Sequence, residues 1–112
     1  MSVGIGDNAR MDDQERELGS YLRRVGDRWP LEAAFHRRRD PDEEHLVVIV
    51  SQAFDGMPWL ERTTTARNLW DASVMGGSVD VHCYTPAELE RKRATVRPLA
   101  AAIEKGREIP LR

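Results

Sequence analysis

Asp80 occupies the setting in this chain best suited to chemistry. In Val79-Asp80-Val81-His82-Cys83-Tyr84 apolar and polar residues alternate. That pattern predicts a strand with Val79, Val81 and Cys83 on one face and Asp80, His82 and Tyr84 on the other. A carboxylate fixed on a strand can ligate a hard cation, and a histidine on the same face can act as a general base. The plainer role for His82 is a hydrogen-bonded histidine on the sheet surface. A second set of acids, Asp40, Asp42, Glu43 and Glu44, follows the basic run Arg37-Arg38-Arg39. Arginine clusters bind phosphate bidentately and acid clusters collect cations, although such runs are more often solvated surface. His36, His45 and His82 form no spaced metal motif. Cys83 is the one cysteine, which leaves no internal disulfide and no cysteine-rich zinc site. Its place on the core face of the strand predicts a buried, inert thiol. No serine has the surroundings of an activated nucleophile.

The elements that must position these residues are legible at several points. Thr85-Pro86-Ala87-Glu88 reads as a capping box, with Thr85 accepting from the Glu88 amide, Pro86 at the first helical position and Glu88 reaching back. The helix it opens meets Pro98, which predicts a kink near Val96, and Gly106 suits its end. Leu46-Val47-Val48-Ile49-Val50 is a continuous apolar run, the pattern of a strand buried on both faces. Leu31 to Phe35 is a weaker strand candidate, since alanine and glutamate are poor strand formers. Upstream, Leu18, Leu22 and Val25 recur at helical spacing between Asp12 and Gly26, while residues 1–10 read as a disordered lead-in. After Asp55-Gly56, Pro58 can open a helix with Trp59, Leu60, Ala66, Leu69 and Trp70 on its apolar side. Trp59 and Trp70 would then be core anchors about three turns apart. Met75-Gly76-Gly77-Ser78 reads as a turn. The expected architecture is α+β, a single domain over residues 11–112 with one small mixed sheet packed with helices.

The chain has 112 residues, 17 basic and 19 acidic, and a formal net charge of −2. A surface for nucleic acid usually brings a basic balance, so nucleic acid is not the expected partner. No apolar run approaches the roughly 20 residues that span a bilayer. The first ten residues lack the features of a signal peptide, and the expected location is cytoplasmic.

Several segments together resemble small prokaryotic nucleotidyltransferase-domain proteins of the DNA polymerase β superfamily. They are Val47-Val48-Ile49-Val50-Ser51, Phe54-Asp55-Gly56-Met57-Pro58-Trp59-Leu60-Glu61-Arg62, Leu69-Trp70, Cys83 to Lys92 and Ala102-Ile103-Glu104-Lys105-Gly106. The resemblance covers about residues 31–112. It implies a magnesium-dependent transfer of a nucleotidyl group from a nucleoside triphosphate, in which carboxylates on adjacent strands hold two ions. In that family an Asp-x-Asp pair precedes the valine run, a neighbouring strand carries a third Asp, and an upstream Gly-Ser turn holds the phosphates. Asp80 matches the third acid.

The other family features depart. One register places the first two acids at Glu43 and His45, the other at Glu44 and Leu46, and neither supplies two aspartates. Where the Gly-Ser turn belongs, the chain has His36-Arg37-Arg38-Arg39. The resemblance therefore implies an eroded catalytic apparatus: a nucleotide- or partner-binding module, with Asp80, Glu43 and Glu44 as ion-holding acids and Arg37, Arg38 and Arg39 on the phosphates if activity survives. Small members of the family often pair with a helical partner chain, sometimes as antitoxins. A second resemblance, carried by His45 to Ser51, Phe54-Asp55-Gly56 and Leu60-Glu61-Arg62, is to the BolA-like partners of glutaredoxins in iron and sulfur handling. Thr63 stands where that family has histidine, and its second histidine, near Gly77, is also missing.

Overall fold

The β-branched run forms strand β2 (His45–Val50), whose six residues are all buried. It is an interior strand of a four-stranded mixed sheet, of order β3 (Val79–Tyr84), β2, β1 (Ala33–Arg38), β4 (Arg107–Glu108), and core side chains pack on both of its faces. β1 pairs with β2 antiparallel, and β3 pairs with β2 parallel on its other side. The two-residue β4 adds to the outer edge of β1. The computed structural model describes residues 2–38, 44–93, 95, 107–109 and 111, and its helices are α1 (Ser2–Arg28), α2 (Trp59–Asn68), α3 (Ala72–Met75) and α4 (Pro86–Arg93). The architecture is α+β, as the sequence predicts. No helix among the described residues is long and apolar enough to cross a membrane.

Strand alternation divides the core between the two sheet faces. On one face Val47, Ile49, Val79, Val81 and Cys83 meet Leu18, Tyr21, Leu22 and Val25 of α1, together with Phe54, Ala66 and Met75. On the other, Leu46, Val48, Val50 and Tyr84 pack with Ala33, Phe35 and Leu89 of α4. Each fully buried aliphatic side chain of β2 contributes about 1.5–3 kcal/mol, so this one strand secures a large share of the fold. Among the described residues the buried side-chain polar atoms are matched; the Tyr21 hydroxyl, for example, donates to the Ala66 carbonyl at 2.9 Å.

Three sequence expectations change. α1 runs from Ser2 and continues past Gly26 to Arg28, through the stretch read as a disordered lead-in. β1 begins later than expected and extends through Arg38, because antiparallel pairing with His45, Leu46 and Val47 keeps His36, Arg37 and Arg38 extended. Those residues are therefore strand, where a loop of charge was expected. In α2 the buried residues are Arg62, Thr63 and Ala66, while Trp59 and Leu60 are exposed. The helix stops at Asn68 and α3 starts afresh with Asp71 as its N-cap, so Trp59 and Trp70 share no helical face. The expected kink near Val96 and helix end at Gly106 lie outside the described residues.

Candidate functional site

Register decides which of the candidate residues meet. Leu46 is the Cα partner of Arg37 on one side and of Asp80 on the other, so the three form one row across β1, β2 and β3. At about 4.8 Å between strands, Arg37 and Asp80 stand roughly 10 Å apart at the backbone. Leu46 is 1% exposed and lies between them. Arg38 belongs to the opposite face by alternation, beside His45, and donates to Gln14 Oε1 at 3.3 Å. Arg37 and Arg38 thus do not form a joint phosphate clamp. Glu44 sits one residue ahead of β2, half-buried. Glu43 and Arg39 lie outside the described residues, as do Asp40 and Asp42.

Asp80 does have a polar neighbourhood, supplied by its own strand. Its Oδ2 lies 3.3 Å from His82 Nε2, and His82 Nδ1 lies 3.2 Å from the Tyr84 hydroxyl. An ionised carboxylate only accepts, so Nε2 carries the proton and the bare Nδ1 accepts from the Tyr84 hydroxyl. Burial, then the charge of Asp80, push the Tyr84 phenol above its ordinary value, which keeps it a donor. Residues 80, 82 and 84 meet because every second residue of a strand shares a face. Beside them stands Trp59, its ring centroid 5.3 Å from that of Tyr84 and 6.3 Å from that of His82.

Arg62 ties this cluster to α4, and it is the functional-region residue that sequence reasoning missed. It is buried, donates through Nε to the Met57 carbonyl at 2.9 Å and through NH1 to the Cys83 carbonyl at 3.2 Å. It also forks onto Glu88, at 2.7 Å to Oε1 and 3.3 Å to Oε2. Its guanidinium lies 5.5 Å from the Phe54 ring centroid and 5.9 Å from that of Trp59. Glu88 is simultaneously the reciprocal partner of Thr85, accepting from its amide at 2.9 Å while Thr85 Oγ1 accepts from the Glu88 amide at 3.1 Å. The capping box is as the sequence predicts. The Arg62 hydrogen bond, followed by the Thr85 amide, holds the Glu88 carboxyl below its ordinary value. Cys83 is buried and its thiol is pushed up to about 12 by burial, which makes it the inert thiol expected.

The histidines on the opposite face form a separate group. His36 Nε2 lies 2.9 Å from His45 Nδ1, and His45 Nε2 lies 3.0 Å from the Met75 carbonyl. A carbonyl accepts, so His45 Nε2 donates to Met75 and His45 Nδ1 accepts from His36 in the neutral pair. His45 is not placed to ligate an ion beside Asp80, from which β2 separates it by face. Among the described residues no three of histidine, cysteine, aspartate or glutamate converge as a metal-holding group.

A two-ion centre of the type the resemblance implies needs a second carboxylate next to Asp80. The residue in register there is Leu46, which has no donor atom, and Asp80 already accepts from His82. The described donor set does not fit a pair of magnesium ions. Comparison with family models, with curated proteins and with solved structures finds no match to this chain.

Proposed function

We propose that the chain is a nucleotidyltransferase-like domain that works by binding, of a nucleoside triphosphate or of a partner protein, and does not transfer nucleotidyl groups. The observation that carries this reading is the register of Leu46 against Asp80. In-line displacement at a triphosphate requires ions that neutralise the phosphates and stabilise both the attacking and the leaving oxygen. A buried leucine in the place of a carboxylate removes that electrostatic support, and losses of this kind cost orders of magnitude in rate. Support for the nucleotidyltransferase likeness comes from Asp80 itself, held on a strand beside β2 and followed directly by the capped α4.

The test is calorimetry with ATP and magnesium, paired with labelled triphosphates in an incorporation assay. The expected result is binding without incorporation. Robust labelling of any acceptor that is abolished by Asp80→Asn would show the catalytic apparatus to be intact and would overturn the proposal.

A further inference from the structure

Two histidines of the sheet share a contact that has room for one proton. His36 Nε2 and His45 Nδ1 are 2.9 Å apart, with ring centroids 5.2 Å apart and planes inclined by 22°, so the rings meet edge to edge along the line of that contact. Their other attachments are unequal. His45 is 1% exposed, its ring stands 5.2 Å from that of Trp70, and its Nε2 lies 3.0 Å from the Met75 carbonyl. His36 is half-buried on β1, where Arg107 of the two-residue β4 is its register partner.

The Met75 carbonyl cannot donate, so His45 Nε2 keeps its proton in every state that keeps this bond. A first added proton fits on His36 Nδ1, and the N–H that faces His45 becomes a charge-assisted donor. A second does not fit. It has only His45 Nδ1 to occupy, and two N–H groups on two cations then face each other across the contact. With charges 5.2 Å apart and an effective dielectric constant of about 20, repulsion weakens the second proton by about a hundredfold. The charged residues around the pair, among those described, are Arg38 on the same face of β1, Arg107 in register on β4 and Glu44 one residue ahead of His45. α1 brings Gln14, which accepts from Arg38, and Tyr21, which packs on Trp70 and stays a neutral phenol because burial raises it. α3 brings Met75 and no charge. These neighbours set the pH at which protons are taken up, while the limit of one comes from the contact itself.

We infer that His36 and His45 form an acid-sensitive latch near the turn end of the β1–β2 hairpin, closed while the pair holds one added proton or none and opened by the second through departure of the His36 ring. His36 is the member that moves, being half-buried at the margin of the sheet, whereas His45 would have to give up both the Met75 bond and the Trp70 contact. In the unfolded chain each histidine is protonated below an ordinary value of about 6.5, and the closed latch then holds one proton fewer. Its stability is therefore present above that pH and is lost as pH falls, by up to about tenfold in the folding equilibrium per pH unit. The inference is independent of the binding proposal.

The experiment follows the imidazole nitrogens of the isotope-labelled full chain by NMR as the pH is lowered from about 8 to about 4, across the histidine range. At the neutral end both rings should carry their proton on Nε2, and the pair should then take up protons in two steps about a hundredfold apart in affinity. Ring-to-ring contacts between His36 and His45 should vanish in the second step while those between His45 and Trp70 persist. His36→Gln supplies an amide that can donate to His45 Nδ1 or accept from it, so His45 should then take its proton in a single step, at least about tenfold more readily than in the second step of the wild type. If the domain unfolds before the second step is reached, the acid midpoint decides instead, and it should lie at lower pH in His36→Gln. Two independent titrations in the wild type, a His45 proton on Nδ1 at neutral pH, ring contacts that survive both steps, or a His36→Gln variant with unchanged His45 affinity and an unchanged acid midpoint would each overturn the proposal.

Discussion

Replacing Arg62 by methionine should destabilise the domain by about 3 kcal/mol, although the substitution inserts an apolar side chain of similar length into a buried site. Methionine keeps most of the packing against Phe54. It removes the donor to the Met57 and Cys83 carbonyls, and each net hydrogen bond contributes about 1 kcal/mol. It also strands the Glu88 carboxylate. Removing one member of a fully buried pair costs about 3–5 kcal/mol, but the Glu88 side chain is partly open to water and recovers some hydration, so we assign it about 1 kcal/mol. Against a total stability of roughly 5–15 kcal/mol the loss is large. Urea denaturation followed by far-ultraviolet circular dichroism should show a midpoint lower by about 1–3 M, given slopes of about 1–3 kcal/mol per molar for small domains. The Cys83 thiol supplies a second readout, because burial keeps it unreactive in the wild type and a weakened α2–β3 contact should expose it to thiol reagents. A loss under about 1 kcal/mol, with Cys83 still protected, would refute the claim that Arg62 joins α2, β3 and α4.

Two further outcomes follow from the same corner of the fold. Thr85→Ala should cost about 1 kcal/mol by removing the hydroxyl that accepts from the Glu88 amide, measurable as a lower urea midpoint. The Glu88 carboxyl is held below its ordinary value of 4.5, chiefly by Arg62, so its contribution is fully present above that pH and is lost as pH falls through the folded value. The acid limb of the stability profile should therefore be shallower in Glu88→Gln than in the wild type, and identical limbs would disprove the assignment.

The elements legible in the sequence are those whose cause is local. The run Leu46 to Val50 needs no partner to be identified as a doubly buried strand, and Thr85 to Glu88 carries both halves of its cap within four residues. The β3 alternation likewise predicts the face that Asp80, His82 and Tyr84 share. β1 was only partly legible, because Arg37 and Arg38 are poor strand residues whose conformation is set by pairing with Leu46 and His45 across the hairpin. Tertiary pairing overrides propensity there.

The inverted burial of α2 has the same origin and bears most on function. Helical spacing selects Trp59 and Leu60 as core residues because it counts apolar side chains and cannot weigh a distant charge. Glu88 is 26 residues from Arg62 in sequence, yet it makes burial of the guanidinium tolerable by pairing with it bidentately. With Arg62, Thr63 and Ala66 turned inward against β3, Trp59 and Leu60 are left outside. The site follows a similar logic. Alternation identifies Asp80, but whether a carboxylate stands next to it is a matter of register between strands, and register places Leu46 there. A single-residue slip of β2 would turn its whole set of side chains to the other face, and would take the His45 ring away from the Met75 carbonyl and the His36 ring that match it. The same register that fixes the core therefore denies Asp80 a neighbouring carboxylate on β2, and the binding reading follows from the packing of the sheet as much as from the residues on its surface.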